Sequence, residues 1–174
     1  KNKAQKKLKI FVESHEHAIA KKTALIIDHF MDSVIRQKKI NGLAKAMVVT
    51  SSRKNAVKYK TAFDNYLAKT NNPYKAIVAF SGEIDGETES SLNHFSSSAI
   101  PDEFKKSEYR FLIVANKYQT GFDQPKLCAM YLDKVIANEV EVVQTLSSLN
   151  RTTTGNDQTF VIDFVNDPES VSDT

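Results

Sequence analysis

A single cysteine, Cys128, leaves this 174-residue chain unable to form an internal disulfide. That excludes a stapled extracellular scaffold and fits a reducing compartment, so the cytoplasm is the expected location. No apolar run approaches the length of a membrane span and no signal peptide is visible, so no membrane partner is expected. No glycine-rich loop followed by Lys-Ser or Lys-Thr occurs, which leaves the chain without a principal triphosphate cradle of its own. His15, His17, His29 and His94 make no ligand spacing with Cys128, so no metal site is expected. No Ser-His-Asp arrangement is suggested by order or context. The net charge of +3 is too mild by itself to imply nucleic-acid binding.

What is present suits one globular domain. Apolar residues make up 41% of the chain and charged residues 26%, ordinary values for a core with a polar surface. The first residue is Lys1 rather than methionine, so the expectation is a piece of a longer polypeptide. Lysines crowd residues 1–13, read as a connecting helix or linker, and acidic residues crowd the end, with 167–174 read as a tail.

Between these, helical and strand signals alternate. From His15 to Gln37, Ile19, Ile26, Phe30 and Val34 recur at three- and four-residue steps, predicting a long amphipathic helix that Asn41-Gly42 ends. Apolar runs at 46–50, 76–80, 111–115, 127–132 and 159–165 predict strands. The helix expected after Ser51-Ser52 carries Ala56, Tyr59, Phe63 and Tyr66 on one face. Asn138 and Glu141 read as a capping box for a helix with Val142, Leu146 and Leu149 inward. Residues 83–98, polar and serine-rich with no clear period, read as an exposed loop. Strands alternating with helices predict a three-layer α/β domain with a parallel sheet.

The stretch RFLIVANKYQTGFDQP, Arg110 to Pro125, organises this reading. Its apolar run lacks alternation, as a strand buried on both faces does, and it exits into a loop holding Gly121 and Asp123. Loops that leave the carboxyl ends of parallel strands form ligand sites, and the other exits here are Ser51-Ser52-Arg53, Ser81-Gly82 and Gln144 to Arg151. Simpler roles exist for each: serine caps, an aspartate in a turn, an arginine on terminal helix carbonyls.

FLIVANKYQTGFDQP followed by QTLSSLNRT resembles motifs V and VI of superfamily 2 helicases, and most closely the motor (endonuclease, R) subunit of type I restriction enzymes. KAMVVTSSR resembles that subunit's motif IV strand and AFSG its next strand exit, so the similarity runs from about residue 14 to 166. It implies a second RecA-like domain over 14–166, with the Walker lysine, the DEAD-like acidic motif and a nuclease domain on preceding parts of the same chain. ATP and Mg2+ would then be held mainly by that missing first RecA-like domain. Double-stranded DNA and the methyltransferase and specificity subunits would be the partners.

By the same resemblance Arg151 matches the last motif VI arginine, an arginine finger toward the γ-phosphate, and Gln144 matches the leading glutamine that orients groups near the nucleotide. Gly121 and Asp123 match the motif V residues that couple nucleotide to nucleic acid, and Thr120 and Gln119 fall where they could touch a DNA phosphate or the nucleotide. Ser51, Ser52, Arg53, Ser81 and Gly82 would contact the DNA backbone without reading bases. One departure stands out: the family motif reads QTLSRLNR, and Ser148 occupies the place of its first arginine. Serine supplies no permanently charged fork, so the motor is impaired, or another cation such as Lys117 substitutes, or one finger suffices. A non-catalytic DNA-binding or docking module descended from a motor, and another superfamily 2 helicase, are the competing readings.

Overall fold

The computed structural model describes residues 16–149 and 159–165. The expected linker at 1–13, the tail at 167–174 and Arg151 lie outside these described residues. Five strands, β1 Lys45–Thr50, β2 Lys75–Ala79, β3 Tyr109–Val114, β4 Leu127–Asp133 and β5 Phe160–Asp163, form one sheet in the order β2-β3-β1-β4-β5. Every pairing is parallel, with Ala46 opposite Phe111 and Val48 opposite Tyr131. The apolar runs lack alternation because both faces of the sheet are covered.

On one face Ala46, Val48, Val78, Phe111, Ile113 and Tyr131 meet α1 (Glu16–His29) and α2 (Arg53–Lys69). Ile19, Ile26, Phe30 and Val34 are buried there as the periodicity predicts. The helix does not stay α-helical to Gln37, however: from Phe30 to Ile35 it widens into π turns, closed by Arg36 N–H to Met31 O at 3.0 Å. On the other face Met47, Val49, Ile77, Leu112 and Leu132 pack against Ile100 and Phe104, the latter just past the short helix α4 (Ile100–Glu103), and against Leu149. α5 (Glu139–Leu146) begins at Asn138, whose side chain accepts the Glu141 N–H at 2.9 Å. The return bond of the predicted box goes one residue further back, to Ala137 N–H at 3.4 Å.

Residues 83–98 are not the exposed loop the composition suggests. They hold a helix of five residues, α3 (Glu89–Asn93), fixed by a reciprocal capping box between Thr88 and Ser91. Its buried polar residues face the free edge of β2. The Asn93 amide accepts the Val78 N–H at 2.9 Å and donates to Val78 O at 2.7 Å, as a neighbouring strand would. Glu89 accepts the Phe80 N–H at 3.2 Å, and Lys60 Nζ donates to Ala76 O at 3.1 Å. Side chains thus satisfy backbone groups that an open edge would leave to water. Asn93→Ala is expected to destabilise the domain by about 1–3 kcal/mol, because Val78 then keeps two unmet backbone groups; urea unfolding measures it.

At the amino edge of the sheet, two cations are buried among carbonyls. Arg110 donates to Ser107 O at 2.6 Å, Gly42 O at 2.8 Å and Ala44 O at 3.2 Å, and stacks on Tyr74 at 4.2 Å. Lys45, 1% exposed, donates to Lys106 O and Tyr109 O and sits 4.8 Å from the Phe104 ring centre. Burial, with Arg110 and Lys126 nearby, pushes its pKa down to about 7. Above that value the folded domain sheds a proton that the unfolded chain keeps until about 10.4, so stability rises with pH across this window. Between pH 7.5 and 8.5 the unfolding free energy should climb by up to about 1.4 kcal/mol. Urea titrations should show a much shallower slope in Lys45→Met.

Candidate functional site

The polar strand exits fall on the carboxyl edge of the sheet, as parallel topology requires. Thr50 at the end of β1 donates its hydroxyl to Val114 O at the end of β3, at 2.9 Å. Ser52 caps α2 by accepting the Asn55 N–H at 3.0 Å, and Ser51 Oγ accepts from Asn55 Nδ2 at 2.9 Å. Arg53, exposed on the first turn of α2, donates to Ser81 O at 3.2 Å and Glu83 O at 3.1 Å. It thereby ties the β1 exit to the β2 exit across the intervening β3. Gly82 has φ +76°, and a Cβ there would lie 3.3 Å from Arg53 Nη1, so glycine serves both the turn and the tether.

The loop after β3 is held from within. Asn116 and Tyr118 adopt left-handed backbone at φ 65°, and Gly121 does so at φ 71°. Tyr118 and Phe122 meet as tilted rings with centres 5.1 Å apart, and Phe122 meets Phe104 at 6.0 Å. Gln119 is 3% exposed. Its amide nitrogen donates to Glu141 at 3.1 Å and Thr145 at 3.0 Å, and its oxygen accepts from Lys134 at 2.7 Å. The Gln119 side chain, expected to touch a DNA phosphate or the nucleotide, here bridges this loop to α5. Thr120, Gly121 and Asp123 are exposed.

Lys117 Nζ donates to Glu89 at 2.8 Å, with the Glu89 side chain only 6% exposed, so it is committed to the β2 side of the edge. Lys134, directly after β4, reaches Asn116 at 3.0 Å and Glu141 at 3.1 Å as well as Gln119. Burial alone would raise the Glu141 carboxyl; hydrogen bonds from Lys134, Gln119 and the Ala137 N–H outweigh it and leave the group below its ordinary value. Beneath the edge, Asp133 accepts from Lys22 at 3.1 and 3.2 Å and from the Tyr59 hydroxyl at 2.5 Å.

Gln144 is exposed on α5, while Ser148 is 9% exposed and its hydroxyl meets no partner among the described residues. Ser51, Ser52, Arg53, Ser81 and Gly82 therefore share one edge with the loop that holds Gln119 to Asp123. Sequence reasoning missed Lys134, Glu89 and Asp133, although the position of Asp133 and Lys134 at a strand exit is the kind of signal used for the other loops. Among the described residues no group of three or more His, Cys, Asp or Glu is placed to hold a metal, and no helix is long and apolar enough to cross a membrane.

A five-stranded parallel sheet flanked by helices, with its polar motifs gathered on the carboxyl edge, defines a RecA-like domain of the helicase C-terminal type. Solved structures share the fold. A fragment of the HsdR subunit of a type I restriction enzyme from Vibrio vulnificus YJ016 superposes with TM-score 0.54 at 17% identity, over 90% of this chain and 30% of that one. The DNA-bound, ATP-dependent type ISP restriction-modification enzyme LlaBIII gives TM-score 0.53 at 15% identity, over 85% of this chain and 10% of its own.

Residues 93–166 match the family model described as type I restriction enzyme subunit R domain 3. Two type I restriction enzyme endonuclease subunits of Methanocaldococcus jannaschii, MjaIXP and MjaVIIP, are 30% identical over 164 residues and 31% identical over 125 residues. Over these stretches the chain is similar to the R subunits of type I restriction enzymes. It spans 15% and 12% of the length of those two relatives.

Proposed function

We propose that this chain is the second RecA-like domain of a type I restriction motor and helps couple ATP hydrolysis to translocation of double-stranded DNA before cleavage. One observation carries the reading: the motif V-like loop and the motif VI-like helix are joined through Gln119, whose amide reaches Glu141 and Thr145 at 3.1 and 3.0 Å. A motor needs its nucleotide-facing and DNA-facing segments to move as one, and a buried two-ended amide bridge does that.

In this reading Thr120, Gly121, Asp123, Gln144 and Arg151 face nucleotide, and the exposure of the first four fits one side of a shared site. ATP with Mg2+ is held mainly by a preceding RecA-like domain of the same polypeptide. Ser51, Ser52, Arg53, Ser81 and Gly82 face the DNA backbone, and their contacts carry no base information, as movement over any sequence requires. Nuclease, methyltransferase and specificity functions lie on other domains and subunits, and the assembly works in the cytoplasm.

The test is ATP turnover by the full-length parent, assembled with its partner subunits, with and without DNA. DNA-stimulated turnover by the assembly and none by residues 1–174 alone is the expected result. Turnover by the isolated chain, or an assembly that binds DNA without stimulated hydrolysis, would sink the proposal. Ser148, in the place of the motif's first arginine, fixes the follow-up: a silent assembly revived by Ser148→Arg would identify a decayed motor.

A further inference from the structure

Neighbouring strands hold their own exits together through backbone pairing, but β3 and β4 are not neighbours, because β1 lies between them. Something else must fix the loop after β3 relative to the segment after β4. Lys134 stands at that point with a side chain 16% exposed. Its ammonium has three N–H donors, and acceptors surround it at 3.0 Å (Asn116), 2.7 Å (Gln119) and 3.1 Å (Glu141). Two acceptors belong to the β3 exit loop and the third to the first turn of α5.

We propose that Lys134 is a positioning residue that sets the angle between the loop Asn116–Asp123 and α5, and thereby tunes turnover without touching nucleotide or DNA. This rests on the motor reading above and deepens it.

The arrangement is more than an ion pair. Glu141 receives both Lys134 and the Gln119 amide on the same oxygen, and Gln119 continues to Thr145, which is 0% exposed, one turn further along α5. Loop, strand exit and two turns of helix therefore meet in one part-buried polar knot. Removing the ammonium leaves the Gln119 oxygen and the Glu141 carboxylate facing each other's surroundings without their shared cation. In a partly buried knot such a loss shifts the groups instead of merely weakening them. A displacement of about 1 Å in groups that align a reaction costs about a hundredfold in rate.

The experiment uses the full-length protein assembled with its partners. Lys134→Met keeps the stem and deletes the donors. It should lower kcat of DNA-stimulated ATP hydrolysis by about ten- to a hundredfold, with KM for ATP within about threefold. Amide hydrogen exchange should speed up in 116–123 and 139–146 together, while the β1–β3 core keeps its protection. Should Lys134→Met fail to assemble, Gln119→Met, which leaves Lys134 on Asn116 and Glu141, should move both readouts in the same direction by less.

Loss of thermal stability with native kcat and unchanged exchange in those two segments would make Lys134 ordinary structural glue and overturn the proposal. If the native assembly already shows no stimulated turnover, the motor reading fails. The exchange experiment then decides Lys134 alone, with uncoupled exchange of loop and helix as the overturning result.

Discussion

Arg151→Ala in the full-length assembly is expected to lower DNA-stimulated ATP turnover by about a hundredfold or more, with little change in KM for ATP. The argument is one of supply. A γ-phosphoryl transition state spreads negative charge over several oxygens and is stabilised by a permanently charged, forked donor. On the proposed reading the motif that this stretch resembles carries two arginines, and Ser148 stands at the place of the first. Lys117, the substitute cation considered from the sequence, is held by Glu89 at 2.8 Å on the β2 side of the edge. On that reading Arg151, outside the described residues, is the arginine left to supply the charge. Arg151→Lys should recover little, since an ammonium is a point charge without the fork. Turnover within about threefold of native in Arg151→Ala would remove it from the catalytic machinery.

Asp133→Ala should cost about 3–5 kcal/mol of unfolding free energy. The carboxylate is 5% exposed and takes hydrogen bonds from Lys22 and from Tyr59, itself 0% exposed. Without it a buried hydroxyl and a part-buried ammonium lose their shared acceptor, which is far more expensive than the few missing atoms. Asp133→Asn separates the two contributions. It keeps the volume and an acceptor oxygen, so it should recover part of the loss in urea unfolding. Equal losses in both variants would assign the effect to charge, and a loss under about 1 kcal/mol in Asp133→Ala would mean that Lys22 and Tyr59 find water instead.

The strands were legible because burial on both faces writes itself as unbroken apolar runs, as in Phe111 to Ala115. The carboxyl-edge grouping of the exits followed from parallel topology alone. The contents of 83–98 were not legible: a five-residue helix is too short to show a period, and its fold is set by Thr88, Ser91 and the β2 edge it faces. Nor could Gln119 be placed. A polar residue two before Gly121 suggests a ligand in one dimension, while the side chains it meets in the fold, Thr145 and Glu141, are 26 and 22 residues away. Such pairings depend on the order β2-β3-β1-β4-β5, which local pattern does not encode.

The way Asn93, Glu89 and Lys60 finish the margin of β2 has a consequence for how this domain can sit beside others. Bare sheet margins zip onto any extended chain that comes near, and two sheets joined that way become one rigid plate. Here that margin offers amide and carboxylate side chains whose bonds are already spent. A neighbouring chain that meets the β2 margin finds the backbone groups of Ala76, Val78 and Phe80 already bonded, so contact there falls to side chains and loops and stays easier to undo.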